Sequence, residues 1–126
     1  MSLEEREVRR EALTTSWLAT RLAIEPMRIV RMRKAGELIA YHPAGSREYF
    51  FPAWQFDQEL KPLQIVPILI RTARERGLTD DELYRLLTRR SGLTGEGRLA
   101  DALRERNDEY VLSIVESALP PPRALG

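Results

Sequence analysis

Thr15-Ser16-Trp17-Leu18-Ala19-Thr20-Arg21-Leu22-Ala23-Ile24-Glu25-Pro26-Met27-Arg28-Ile29-Val30-Arg31-Met32-Arg33-Lys34-Ala35-Gly36 is the stretch on which the fold turns. Thr14, Thr15 and Ser16 supply hydroxyls that can cap the orphan N–H groups of a helix whose apolar members, Trp17, Leu18 and Leu22, recur at helical spacing. Ala23 and Ile24 break that helix. Pro26 suits the first position of a second one, where its missing N–H costs no hydrogen bond, and Gly36 is placed to end it. Two short helices joined by about three residues have helix-turn-helix spacing.

The residues that follow extend the unit. Leu38 to Tyr41 and Glu48 to Phe51 are β-branched or aromatic-rich runs on either side of His42-Pro43-Ala44-Gly45-Ser46-Arg47, whose Pro, Gly and Ser favour turning. The pattern predicts a β-hairpin, or wing, with Pro52 ending its second strand. Trp54 and Phe56 are then expected to clamp the wing to the helices. Residues 13–60 read as a winged helix-turn-helix domain, preceded by a charged arm over 1–12 with little apolar face.

Residues 61–119 read as a small helical domain. Leu63, Val66, Ile70 and Ala73 follow helical spacing toward Gly77, with Pro67 marking a late start or a kink. Thr79-Asp80-Asp81-Glu82 is a capping box ahead of Leu83, Leu86 and Leu87. Gly92, Gly95 and Gly97 open a loop, Leu99, Ala102 and Leu103 form a third short helix, and Asn107 is placed to cap a fourth carrying Val111, Ile114, Val115, Ala118 and Leu119. Residues 120–126 read as a Pro-rich tail. The expected fold class is mainly α with a small β-hairpin wing.

Composition narrows the function. The chain has 126 residues, 43% apolar and 31% charged, with a net charge of +1, so bulk electrostatics do not announce a nucleic-acid partner. Between Thr15 and Phe50, however, Arg21, Arg28, Arg31, Arg33, Lys34 and Arg47 outnumber Glu25, Glu37 and Glu48. The basic excess is local. No cysteine is present and His42 is the only histidine, which leaves no thiolate metal site, no cysteine nucleophile and no expected metal or cofactor. No apolar run approaches the roughly 18 residues of a membrane span, and Met1-Ser2-Leu3-Glu4-Glu5-Arg6 is charged where a signal peptide is apolar. A cytoplasmic protein is expected, with no membrane partner.

On a helical wheel the second helix places Met27, Arg31 and Lys34 on one face, Arg28 at its edge, and Ile29 and Met32 opposite. A helix divided in this way fits a DNA major groove, where arginine donates two hydrogen bonds to guanine O6 and N7. Thr15 and Ser16 are positioned to donate to a phosphate, and Arg47 at the wing tip to enter the adjacent minor groove. A solvated surface helix is also cationic on one side, and it is the turn spacing and the wing that favour double-stranded DNA. Arg33 falls beside Ile29 on the inner face, which either weakens the helix reading or means that its stem snorkels past the core, and Glu25 is expected to pair with a neighbouring arginine. Trp17, Trp54, Tyr49, Phe50, Phe51 and Phe56 are expected in the core, and His42 in an exposed loop.

Thr15-Ser16-Trp17-Leu18-Ala19-Thr20-Arg21-Leu22 with Ile24, then Val30-Arg31 and Ala35-Gly36-Glu37-Leu38, resembles the MerR-type or excisionase-type winged helix-turn-helix. Tyr49-Phe50-Phe51-Pro52-Ala53-Trp54-Gln55-Phe56-Asp57 is similar to a segment of small bacterial DNA-binding proteins that continue into an Xre/MbcA/ParS-type toxin-binding domain. Leu86-Leu87, Leu93, Gly95, Leu99, Ala102-Leu103, Glu109, Val111 and Leu112 look like that continuation, with Tyr84, Arg90-Ser91 and Arg98 standing where the family carries tryptophan, a Pro-Asn pair and proline. The resemblance implies a homodimeric antitoxin and autorepressor of a type II toxin-antitoxin system, whose C-terminal helices cover a RES-domain toxin.

Three alternatives follow from the residues. One is a stand-alone MerR-like or excisionase-like transcription regulator with no toxin partner, and another an interaction module whose basic helix meets an acidic protein. Catalysis by Asp80, Asp81 and Glu82 or by His42 is the third, but the capping box and the helix dipole account for those carboxylates, and no catalytic residue is expected.

Overall fold

The structure, a computed structural model, describes residues 11–89 and 98–119. Most of the N-terminal arm, the Gly92–Gly97 loop and the Pro-rich tail lie outside the described residues. The fold is mainly α with one small antiparallel sheet. Strand β1 (Ala12–Thr14) leads into helices α1 (Thr15–Leu22) and α2 (Pro26–Lys34), then β2 (Phe50–Pro52) and a single 3-10 turn (Ala53–Gln55). Helices α3 (Ile65–Glu75), α4 (Asp80–Thr88), α5 (Leu99–Arg104) and α6 (Asp108–Ala118) complete it.

The sheet departs from the expected hairpin. β2 pairs with β1, Leu13 facing Phe51, and residues 38–41 meet β2 only at a bridge in which Tyr41 and Phe50 exchange two hydrogen bonds of 2.9 Å. The reason lies in Gln55. Its side-chain amide, fully buried, accepts from the Ile39 N–H at 2.7 Å and donates to the Ile39 carbonyl at 2.7 Å, so a side chain takes the place of a neighbouring strand. β1 was not visible in the sequence, and the arm expected through residue 12 is already docked there: Glu11 is buried and its carboxylate lies 2.8 Å from Arg98, which also pairs with Asp101 at 2.9 Å. Burial works against the charge on Arg98, but hydrogen bonds to Asp101 and Glu11 outweigh it and raise its pKa further.

Two apolar clusters share the chain. The smaller gathers Leu18, Ala19, Ile29, Leu38, Ala40 and Phe51, and Phe56 packs against it. The larger runs from Ile39, Tyr41 and Trp54 through α3 to Val111, Val115 and Leu119. Leu38 and Ala40 therefore serve one cluster, and Ile39 and Tyr41 the other, the two-residue alternation of extended backbone. Trp54, expected to clamp the wing to the helix pair, instead joins the larger cluster, in line with Tyr84 at 6.5 Å. Tyr84 also stacks on Tyr41 with ring centroids 3.9 Å apart, and burial raises the pKa of both phenols.

α3 begins later than Pro62, at Ile65, and ahead of it the Leu63 N–H donates to the Gln55 carbonyl at 2.8 Å. Pro67 then falls in the first turn, where no intrahelical N–H bond is lost. α4 carries the capping box as expected: Thr79 Oγ1 accepts from the Glu82 N–H at 3.1 Å and Glu82 accepts from the Thr79 N–H at 3.0 Å. No helix among the described residues is long and apolar enough to cross a membrane.

Candidate nucleic-acid interface

α1 starts on Thr14, whose hydroxyl accepts from the Trp17 N–H at 3.1 Å; Thr15 is half-buried in the first turn and Ser16 exposed. The helix closes with Ala23 in the left-handed region (φ 56), its N–H bonded to the Thr20 carbonyl at 3.3 Å and the Ile24 N–H to Ala19 at 3.0 Å. That pair of bonds is a Schellman cap. It redirects the chain within three residues, and α2 starts at Pro26.

Ile29 is fully buried and Met32 half-buried, which fixes the rotation of α2 about its axis. Met27 (55% exposed), Arg28, Arg31 and Lys34 consequently share the outward side. Ala23, Ile24, Glu25, Pro26, Arg28 and Arg31 line an open cleft of about 580 Å³ at the junction of the two helices. Glu25 forms no ion pair among the described residues; it sits at the N-terminal end of α2, where a negative charge is favourable.

Arg33 resolves differently from the snorkelling expected of it. Its guanidinium lies over the Tyr49 ring at 3.9 Å, a cation–π contact that sets the residue leading into β2 against the flank of α2. The loop before Tyr49 turns where the Ser46 N–H meets the Pro43 carbonyl at 3.0 Å, with Gly45 at φ 81, a conformation that favours glycine. Arg47 is exposed on this loop. His42, expected in the open, is half-buried: its N–H donates to Asp81 Oδ1 at 3.0 Å and its ring sits 4.9 Å from Tyr49. The loop is thus anchored at its base and free at its tip.

Trp17 is a correction. Expected in the core, it is 40% exposed, with the Arg21 guanidinium 5.2 Å above its ring. The wheel contains the signal, because Leu18, Ala19 and Leu22 already define the inner face and leave positions 17 and 21 outside.

The three carboxylates weighed for catalysis each hold a structural partner. Asp80 takes the Arg74 guanidinium through both oxygens at 3.2 and 3.0 Å, Asp81 takes the His42 N–H, and Glu82 closes the capping box. The backbone and side-chain hydrogen bonds from Thr79 hold the Glu82 carboxyl below its ordinary pKa. Sequence reasoning missed Arg74 and Gln55, whose partners lie 41 and 16 residues away.

No protein-family model and no curated protein matches the sequence. The fold has a solved counterpart. The chain is similar to the NMR structure of Rv2175c, with a TM-score of 0.73 over 86% of this chain and 81% of that one, at 18% sequence identity. At that identity the likeness speaks for the fold.

Proposed function

We propose that the chain is a sequence-specific double-stranded-DNA-binding protein that acts as a transcriptional autorepressor, with α2 as the helix that enters the major groove. One observation carries the reading: Ile29 is sealed into the core while Met27, Arg28, Arg31 and Lys34 stand together on the open side of α2, beside a loop carrying Arg47. Arg28 and Arg31 supply the planar donors suited to guanine, Met27 the apolar contact suited to a thymine methyl, and Lys34 a phosphate contact. Thr15 and Ser16 add donors at the start of α1. A homodimer would present two such helices to a repeated or palindromic operator, and such a protein works in the cytoplasm.

The test is a titration against the chain's own promoter fragment and a scrambled duplex at two salt concentrations. Preference for the promoter that survives the higher salt is the expected result. Arg31→Ala should weaken promoter binding by about 1 to 3 kcal/mol without disturbing folding; unchanged affinity would remove α2 from the role.

A second reading, the antitoxin, is favoured by Tyr110 and Ile114, which are 51% and 37% exposed one turn apart on α6 and give the C-terminal helices an apolar strip for a protein partner. In this reading the strip covers a RES-domain toxin, which would be the enzyme of the pair. Co-expression with a neighbouring RES-type protein, followed by purification of a stable complex that Tyr110→Asp disrupts, tests it.

A further inference from the structure

α2 ends in a Schellman cap of its own, with Gly36 in the left-handed region at φ 80. Ala35, Glu37 and Gly36 satisfy the carbonyls of Arg31, Met32 and Arg33, at 2.9, 2.9 and 3.1 Å, which leaves the Lys34 carbonyl without a backbone donor. That carbonyl is met from α3, and the Arg33 carbonyl receives a second donor from the same side chain. Arg74 Nη1 donates to the Lys34 carbonyl at 3.1 Å and Nη2 to the Arg33 carbonyl at 3.2 Å. The other edge of the guanidinium is gripped by Asp80 at the start of α4. A single planar group therefore joins the C-terminus of α2 to two helices of the second half of the chain, and its positive charge faces the negative end of the α2 dipole. Gly36 makes room for it: a Cβ at that position would lie 3.0 Å from Arg74 Nη1.

We propose that Arg74, oriented by Asp80, is a positioning residue for DNA recognition, setting the angle at which α2 presents Arg28, Arg31 and Lys34; the proposal rests on α2 being the reading helix. Arg74 itself need not touch DNA. The partially exposed Arg74–Asp80 pair adds little stability as a surface ion pair, with side chains 37% and 23% exposed, so its value lies in direction. Lysine cannot take over, because one ammonium does not span two carbonyls and a bidentate carboxylate.

The experiment compares wild type, Arg31→Ala, Arg74→Gln and Arg74→Lys in promoter and scrambled-duplex titrations, with thermal unfolding and amide hydrogen exchange on the free protein. Arg74→Gln is expected to lower promoter affinity about tenfold, the loss of one to two charged hydrogen bonds' worth of orientation, while affinity for the scrambled duplex holds. Exchange at the amides of Ala35, Gly36 and Glu37 should accelerate, and Arg74→Lys should not restore the wild-type values. A lysine variant that behaves as wild type overturns the proposal, because charge alone would then suffice. So does promoter affinity that stays unchanged, or a loss on both duplexes that tracks a lowered Tm. Wild type that prefers the promoter, with Arg31→Ala weakened and Arg74→Gln unaltered, sinks this proposal alone; wild type that binds both duplexes alike sinks it together with the DNA reading.

Discussion

Helices α2 and α4 are each nine residues long, and they are held in different ways. α4 closes its own N-terminus, since Thr79 and Glu82 satisfy each other's backbone N–H groups within four residues of chain. α2 has no side-chain cap at Glu25, and although Ala35, Gly36 and Glu37 close most of its C-terminus, its Lys34 carbonyl is met by an arginine 40 residues downstream. Both helices are bounded locally, but α2 is held in addition by a tertiary contact. α4 belongs to the frame, and α2, the element proposed to read DNA, takes its angle from the added contact with that frame.

The comparison can be broken at three places. Gly36→Ala has the largest expected effect on stability: a non-glycine residue at φ 80 costs about 1 to 2 kcal/mol, and the new methyl pushes on Arg74. Urea unfolding would measure it, and a stability equal to wild type would mean that the end of α2 is not fixed as described. Thr79→Ala should cost about 1 kcal/mol by the loss of a cap, with promoter affinity nearly preserved as long as Asp80 still holds Arg74. A large loss of affinity in that variant would show that the two helices are not separately specified. Acid should act still more gently. The Glu82 pKa is depressed in the folded state, so its contribution is present at neutral pH and is lost as pH falls from the ordinary glutamate range, about 4.3, through the lower folded value. Glu82→Gln, which keeps a capping acceptor but cannot titrate, should flatten that part of the acid unfolding curve; an identical curve would deny the carboxylate its role.

The same contrast explains what could be read from the sequence. Pro26, Gly36, Gly77 and the Thr79–Glu82 box act within one or two turns of themselves, and the helices they bound were all expected. The outward side of α2 was equally visible, because Ile29 and Met32 fix it by spacing alone. What the sequence hid was every contact made at long range. Ala12–Thr14 is too short to show alternation, and its partner lies beyond both helices. Gln55 looks like a polar residue in a turn until its amide is found on the Ile39 backbone. Arg74 is one of many arginines on an exposed helix face until its carbonyl acceptors are located. Trp17 was misplaced for another reason: residue type was given more weight than position on the wheel.

Residues 38–41, buried on both sides, have a consequence for how such a chain can be inherited. Leu38 and Ala40 complete one core while Ile39 and Tyr41 complete the other, so this short wall belongs to both halves at once. A recombination breakpoint near residue 60, where two cassettes would seem to meet, would strip Ile39, Tyr41 and Trp54 from the core that α3 to α6 need. The halves must change partners together or co-vary across the wall, and a transplanted α2 would arrive without the arginine that aims it.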